Sequence, residues 1–70
     1  MNSEAPITLR QIMNALRGEI AWMRVYLNRQ SREYTSHMNE PEIREAVEAY
    51  GDRRVWKVYP GYMFVFFYLE

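Results

Sequence analysis

LRQIMNALRGEIAWMRVYLNR, residues 9–29, carries a regular apolar pattern on which the fold turns. Leu9, Met13, Leu16, Ile20, Met23 and Leu27 follow one another at spacings that alternate between four and three. Such a seam runs along one side of an α-helix for about three heptads. Ile12, Ala15, Trp22 and Tyr26 widen it on one flank. Just upstream, Thr8 is placed as an N-cap with Gln11 three residues on, and Ile7 and Ile12 bracket the cap as a hydrophobic staple. The pattern predicts one long helix over residues 9–29, with residues 1–5 as a frayed start. Gly18 interrupts it at a cost of ~1 kcal/mol relative to alanine and leaves room for a second backbone to approach.

Beyond a polar stretch, MNEPEI (residues 38–43) gives a second helix start. Asn39 is the N-cap, Glu42 occupies the capping-box position, and Pro41 sits in the first turn, where its missing N–H is harmless. Ile43, Ala46, Val47 and Tyr50 share a face, and Gly51 is expected to stop the helix in a left-handed conformation. This helix is predicted over residues 40–50. Two β-prone runs follow, RRVWKVY and YMFVFFYLE, separated by Pro60-Gly61, and together they predict an antiparallel hairpin. With Pro60-Gly61 as the loop, Tyr59 falls opposite Tyr62. An L-Pro-Gly pair favours a type II turn, whose twist suits a tight hairpin poorly, so a wider loop and a division of the strands at Pro60 both stay open. The expected fold is α+β, order ααββ: a long and a short helix packed on one face of a C-terminal hairpin.

The last strand carries apolar side chains in both directions. Met63, Val65, Phe67 and Leu69 point one way; Tyr62, Phe64, Phe66 and Tyr68 point the other. On the register above, Val58, Trp56 and Arg54 join the mostly aliphatic face, while Tyr59, Lys57, Val55 and Arg53 join the aromatic one. Two helices cover one face of a hairpin, and the aliphatic face matches their Leu/Met/Ile seam. The aromatic face, Tyr59, Tyr62, Phe64, Phe66 and Tyr68, is left over. Aromatic side chains present ~150–250 Å² each, so a half-exposed set makes a patch of roughly 300–500 Å², large for a monomer. Uncharged and β-prone, it would aggregate if left open, which predicts a cover: the chain itself, by helices wrapped around both sides or by a strand running through the middle of the fold, a second copy, or a foreign partner, either another protein or single-stranded nucleic acid.

Composition narrows these classes. A chain of 70 residues is expected to be one domain, residues 1–70, too small to bury a large core without staples or oligomerisation. It has no cysteine, which excludes disulfides and thiolate metal sites and fits a reducing, cytoplasmic setting. The single histidine, His37, cannot build a zinc site by itself, and no metal or cofactor is expected. No secretory signal is visible, and the apolar run at the end is far shorter than a membrane span, so no membrane partner is expected. Nine basic residues balance nine acidic ones. Zero net charge is unlike the basic excess of sequence-blind nucleic-acid binders.

Charge placement supplies a second candidate surface. Arg10, Arg17 and Arg24 recur every seven residues, about 100° around the predicted helix from its apolar seam. Arg53 and Lys57 add cations beside the aromatic strand. The five are read as a charged docking surface that speeds and selects encounter. Interleaved with Trp56, Tyr59, Tyr62, Phe64 and Phe66, the C-terminal cations also fit an alternative, stacking of single-stranded nucleic acid on an aromatic sheet. Phosphate loops, a Ser-His-Asp set and a Cys nucleophile are missing, and Glu45 with Glu48 has no sign of a cleft around it, so an enzyme is not expected. The sequence points to a non-enzymatic protein–protein interaction module, homodimeric, acting as a small inhibitor or adaptor by surface occlusion. Viral proteins that block host or bacterial defence machinery are of this style.

Overall fold

A computed structural model describes residues 7–16, 19–34 and 40–70. The elements run α1 (Leu9–Leu16), β1 (Trp22–Leu27), β2 (Gln30–Tyr34), α2 (Glu40–Tyr50), β3 (Val55–Pro60) and β4 (Phe64–Leu69). The class is α+β as expected, but the order is αββαββ, not ααββ. The long helix predicted over residues 9–29 is instead an eight-residue helix followed by a β-hairpin. The frayed start at residues 1–5 lies outside the described residues, as do Arg17, Gly18, His37, Met38 and Asn39.

The physical reason is that a spacing of four serves two geometries. Residues four apart share a helix face, and because strand side chains alternate they share a strand face as well. Leu9 and Met13 use the first geometry and are buried under α1. Met23 and Leu27 use the second, with Val25 between them on the same face of β1. Trp22, Val25 and Tyr26 are also strong strand formers. The strand turns back at Asn28, whose φ of 61° is the positive value a two-residue hairpin loop requires, and asparagine tolerates it well.

The start of α1 is as predicted. Thr8 N–H donates to Gln11 Oε1 at 2.8 Å and Gln11 N–H returns to Thr8 Oγ1 at 3.4 Å, a reciprocal capping box. The next free amides of α1 find acceptors in the turn after α2: Leu9 N–H donates to the Arg53 carbonyl and Arg10 N–H to the Gly51 carbonyl, both at 3.0 Å. Gly51 ends α2, though not by the expected left-handed conformation. It is buried, and an added Cβ would run into the Val47 carbonyl oxygen. Close packing, not backbone sign, demands glycine there.

The sheet has the order β2-β1-β4-β3. Each hairpin is antiparallel, and the two join in parallel along the centre, Trp22 opposite Phe64 through Leu27 opposite Leu69. The C-terminal hairpin therefore exists, but Pro60-Gly61 is not its loop. Pairing continues to Pro60 opposite Val65, Gly61 N–H donates to the Phe64 carbonyl at 2.8 Å, and the chain reverses at Tyr62 and Met63. Tyr59 faces Phe66 rather than Tyr62. The turn is made by Met63 at φ 64°, and its carbonyl takes up Ala21 N–H at 2.7 Å.

One face of the sheet is the core. Leu9 and Met13 of α1, Ile43 and Ala46 of α2, Met23 and Val25 of β1, Tyr34 of β2, and Val65, Phe67 and Leu69 of β4 form a single buried cluster. Both helices thus lie on the same side. Among the described residues no helix is long and apolar enough to cross a membrane.

Tyr34 ties β2 to α2. Its hydroxyl donates to Glu45 Oε2 at 3.0 Å, and Arg32 bridges to the same carboxylate at 3.6 Å while lying over the Tyr34 ring. Burial, then the bond to Glu45, pushes the phenol's pKa well above its ordinary value of 10.0. A folded-state pKa raised above the unfolded one favours folding below the unfolded value, and that contribution is lost as pH rises beyond it. Wild-type stability is therefore expected to fall above pH ~10. Urea unfolding across alkaline pH checks this, and in Tyr34→Phe the alkaline decline should be visibly shallower.

Candidate interaction surface on the open sheet face

Strand alternation sends the other side chains of β1 and β4 away from the helices. β1 contributes Trp22, Arg24 and Tyr26; β4 contributes Phe64, Phe66 and Tyr68. β3 adds Tyr59, opposite Phe66, and Lys57, opposite Tyr68. A β-bulge between Val55 and Lys57 then re-sorts the rest of that strand. Val55 faces Leu69 on the core side, and Trp56 turns to the open face, 5.7 Å from the Tyr68 ring. This reverses the expectation that Trp56 lines the aliphatic face and Val55 the aromatic one.

The rings form one connected mosaic. Trp22 stacks on Phe64 at 4.7 Å between centroids, and Tyr26 on Tyr68 at 4.6 Å with planes 4° apart. Phe66 sits at the centre, touching Trp22, Tyr26, Tyr59 and Phe64 at 5.3–6.1 Å. The spacing of the two stacked pairs matches that of neighbouring strands, so cross-strand rings lean on one another and turn edges outward. Phe64 is closed on its second side as well: its ring lies against Gly61, where no Cβ would fit. Phe64, Phe66 and Tyr68 are consequently half-buried by their neighbours, while Trp56 and Tyr59 on the edge strand stay 57% and 54% exposed.

Four of the five predicted aromatic positions, Tyr59, Phe64, Phe66 and Tyr68, come together on this face. Tyr62 does not: it stands in the turn, 87% exposed. Trp22 and Tyr26 belong to the face and are not among the expected residues; Trp56 belongs to it as well, expected among the rings of the nucleic-acid alternative but not on the aromatic side of the hairpin. For Trp22 and Tyr26 the signal in the sequence was the strand-like alternation of WMRVYL ahead of Asn28. Trp56 had no signal, since nothing in RRVWKVY marks the bulge.

The predicted row of cations is dismantled. Arg10 lies on α1 and pairs with Asp52. Arg17 lies outside the described residues. Arg24 is on the open face, paired with Glu33 of β2 and 5.9 Å from the Phe66 centroid. Arg53 donates to the Glu70 carbonyl at 3.2 Å, and Lys57 lies over the Tyr68 ring at 5.3 Å. A seven-residue repeat aligns side chains only on a continuous helix, and this chain leaves the helix after Leu16.

The surface has little depth. Its recess, about 240 Å³, lies at one end among Tyr26, Asn28, Trp56, Tyr68, Leu69 and Glu70. Among the described residues no group of three or more His, Cys, Asp or Glu side chains is placed to hold a metal ion. Glu45, one of the two carboxylates singled out in the sequence, is engaged by Tyr34 and Arg32. The class so defined is a small α+β domain with two helices on one side of a four-stranded mixed sheet and an aromatic face on the other. No family model matches the chain, and no curated protein or solved structure does either.

Proposed function

We propose that the protein is a non-enzymatic protein–protein interaction module, a small inhibitor or adaptor whose aromatic sheet face makes it a homodimer. The observation that carries this reading is the mosaic of seven rings on the face that the helices leave bare. Its composition has the anatomy of a protein interface: Trp, Tyr, Phe and Arg at the centre, with Ser31, Glu33 and Lys57 along the edge strands. The edges themselves discourage strand-to-strand addition. β2 is polar along most of its length, and β3 carries a bulge, Lys57 and Pro60. Contact through the face is favoured over contact through an edge.

Light scattering from about 1 to about 200 μM tests the reading, with a dissociation constant in the micromolar range expected for an interface of modest size. A monomer throughout this range overturns it.

The alternative, single-strand nucleic-acid binding, is supported by the aromatic side chains gathered on one face of the sheet. Two features weigh against it. Base stacking needs open ring faces, and the central rings cover one another. Phosphate binding needs several free cations, and of those on this face Arg24 is paired with Glu33, which leaves Lys57, over the Tyr68 ring, to meet a phosphate backbone. Labelled single-stranded oligonucleotides are expected to show no binding at moderate salt, and only weak, salt-sensitive binding at low salt. Tight binding at moderate salt would reverse the order of the two readings.

A further inference from the structure

We infer that the β3 rim of the open face, from Trp56 to Tyr59, docks a protein segment that carries a leucine-sized apolar side chain next to a carboxylate. The inference goes beyond the homodimer reading, which concerns the central rings of β1 and β4, and it stands or falls separately.

The two edges of the sheet are unlike. Among the described residues, the large apolar side chains that stay exposed are Ile7, Trp56, Val58, Tyr59, Tyr62 and Met63. Five of them belong to β3 and the turn after it. Ile7 lies against the same strand, its carbonyl accepting from Val55 N–H at 2.8 Å. On the opposite edge, β2 exposes only polar side chains, from Gln30 to Glu33. Apolar surface gathered at one edge and bounded by polar groups marks a place of contact with another molecule. Trp and Tyr are also the side chains that carry most of the binding energy at interfaces.

The β-bulge between Val55 and Lys57 gives this edge its shape. On an unbroken strand Trp56 and Lys57 would point to opposite faces. The extra residue sets both on the open face, where Trp56 is turned away from the core and into water. Bulges re-aim side chains in this way beside functional sites. Trp56, Tyr26 and Tyr68 wall the recess of about 240 Å³ at this end of the face. The two tyrosines hold each other by stacking at 4.6 Å, so two walls of the recess are fixed before anything enters it. A single branched apolar side chain fills such a space.

Charge selects the rest of the partner. Arg24 is paired with Glu33, and the Glu70 carboxylate at the foot of the recess takes Arg54 Nε at 3.4 Å. Lys57 has no carboxylate partner among the described residues; its ammonium rests over the Tyr68 ring, beside the recess. An acidic side chain next to the docked apolar one meets Lys57 with opposite charge, and a basic one meets it with like charge. One unpaired cation matches the carboxylate of a peptide, whereas a nucleic-acid backbone asks for several. Contact is through side chains, so the edge strand need not accept a further strand.

The probe is acetyl-Asp-Leu-Asp-amide, followed by nitrogen–proton NMR correlation spectra that resolve the indole N–H of Trp56 from that of Trp22. Saturable shifts are expected at Trp56 and not at Trp22, with a dissociation constant of roughly 1 mM. The Lys-Leu-Lys analogue should bind about tenfold more weakly, and so should Asp-Ala-Asp. In Lys57→Glu the order of the Asp and Lys peptides should reverse, and Trp56→Ala should lose both. Circular dichroism confirms that the variants are folded, and the peptide comparisons on the wild type need no variant at all. Titrations below and above the midpoint of self-association separate this site from the dimer contact: equal peptide affinity in both upholds it. Affinity that falls as the dimer forms makes a second copy the occupant and overturns the inference. So does a Trp56 signal that stays unmoved up to about 10 mM peptide, equal affinity for the Asp and Lys peptides, or tighter binding of oligothymidylate than of Asp-Leu-Asp. A monomeric wild type that shows the stated shifts upholds this site and overturns the homodimer.

Discussion

Phe67→Ala is expected to remove about half of the folding free energy of the chain at 25 °C. Phe67 is fully buried at the centre of β4, with the core cluster on its side of the sheet. Removing a buried aromatic ring costs about 3–5 kcal/mol through lost burial and the cavity it leaves. A 70-residue domain has only roughly 4–10 kcal/mol to lose, at typical stability per residue. Urea unfolding followed by circular dichroism should show the midpoint displaced to about half its wild-type denaturant concentration. The sheet cannot close over the gap easily, because β4 is paired on both sides, by β1 and by β3.

Phe66→Ser, one position away, should have the opposite profile. Its ring belongs to the open mosaic and is buried only in part by its four ring neighbours, so the isolated fold should lose about 2 kcal/mol, less than for Phe67→Ala. Association should suffer far more. Truncating a central interface aromatic costs about 2 kcal/mol or more, and a homodimer contains the residue twice. The sum, about 4 kcal/mol, is roughly a thousandfold in dissociation constant and takes a micromolar dimer to a monomer. Paired measurements of unfolding and sedimentation on both variants separate the two faces of a single strand. Should Phe66→Ser be destabilised as much as Phe67→Ala, the mosaic is core and the dimer has no basis in it.

What could be read from the sequence follows from which patterns are unique to one geometry. The capping box at Thr8 and Gln11 and the run from Glu40 to Tyr50 have no strand counterpart, and both are found where expected. The two faces of β4 were legible because six successive residues alternate without interruption. The stretch after Leu16 was not legible from its apolar spacing, since Met23 and Leu27 satisfy a helix and a strand alike. Asn28 before a polar run was the better guide to the turn. A helical reading of this stretch puts Trp22 and Tyr26 on a flank and Arg24 in a row of cations, whereas β1 puts all three on the open face. Trp56 depends on a bulge, a local irregularity that side-chain type does not encode here.

The parallel seam between β1 and β4 also dictates how the molecule comes into being. Each hairpin is a local object, joined by a short loop and able to begin forming as soon as its own residues leave the ribosome. The seam is not: Trp22 waits for Phe64, and Leu27 for Leu69. Until β4 arrives, the first hairpin has neither an inner neighbour nor a complete roof, and its Trp22, Val25 and Tyr26 stay in water. Distant pairings of this kind form slowly, after the loop-closure entropy has been overcome. A chain made from its N-terminus therefore carries β1 without its inner neighbour until Phe64–Leu69 have been added.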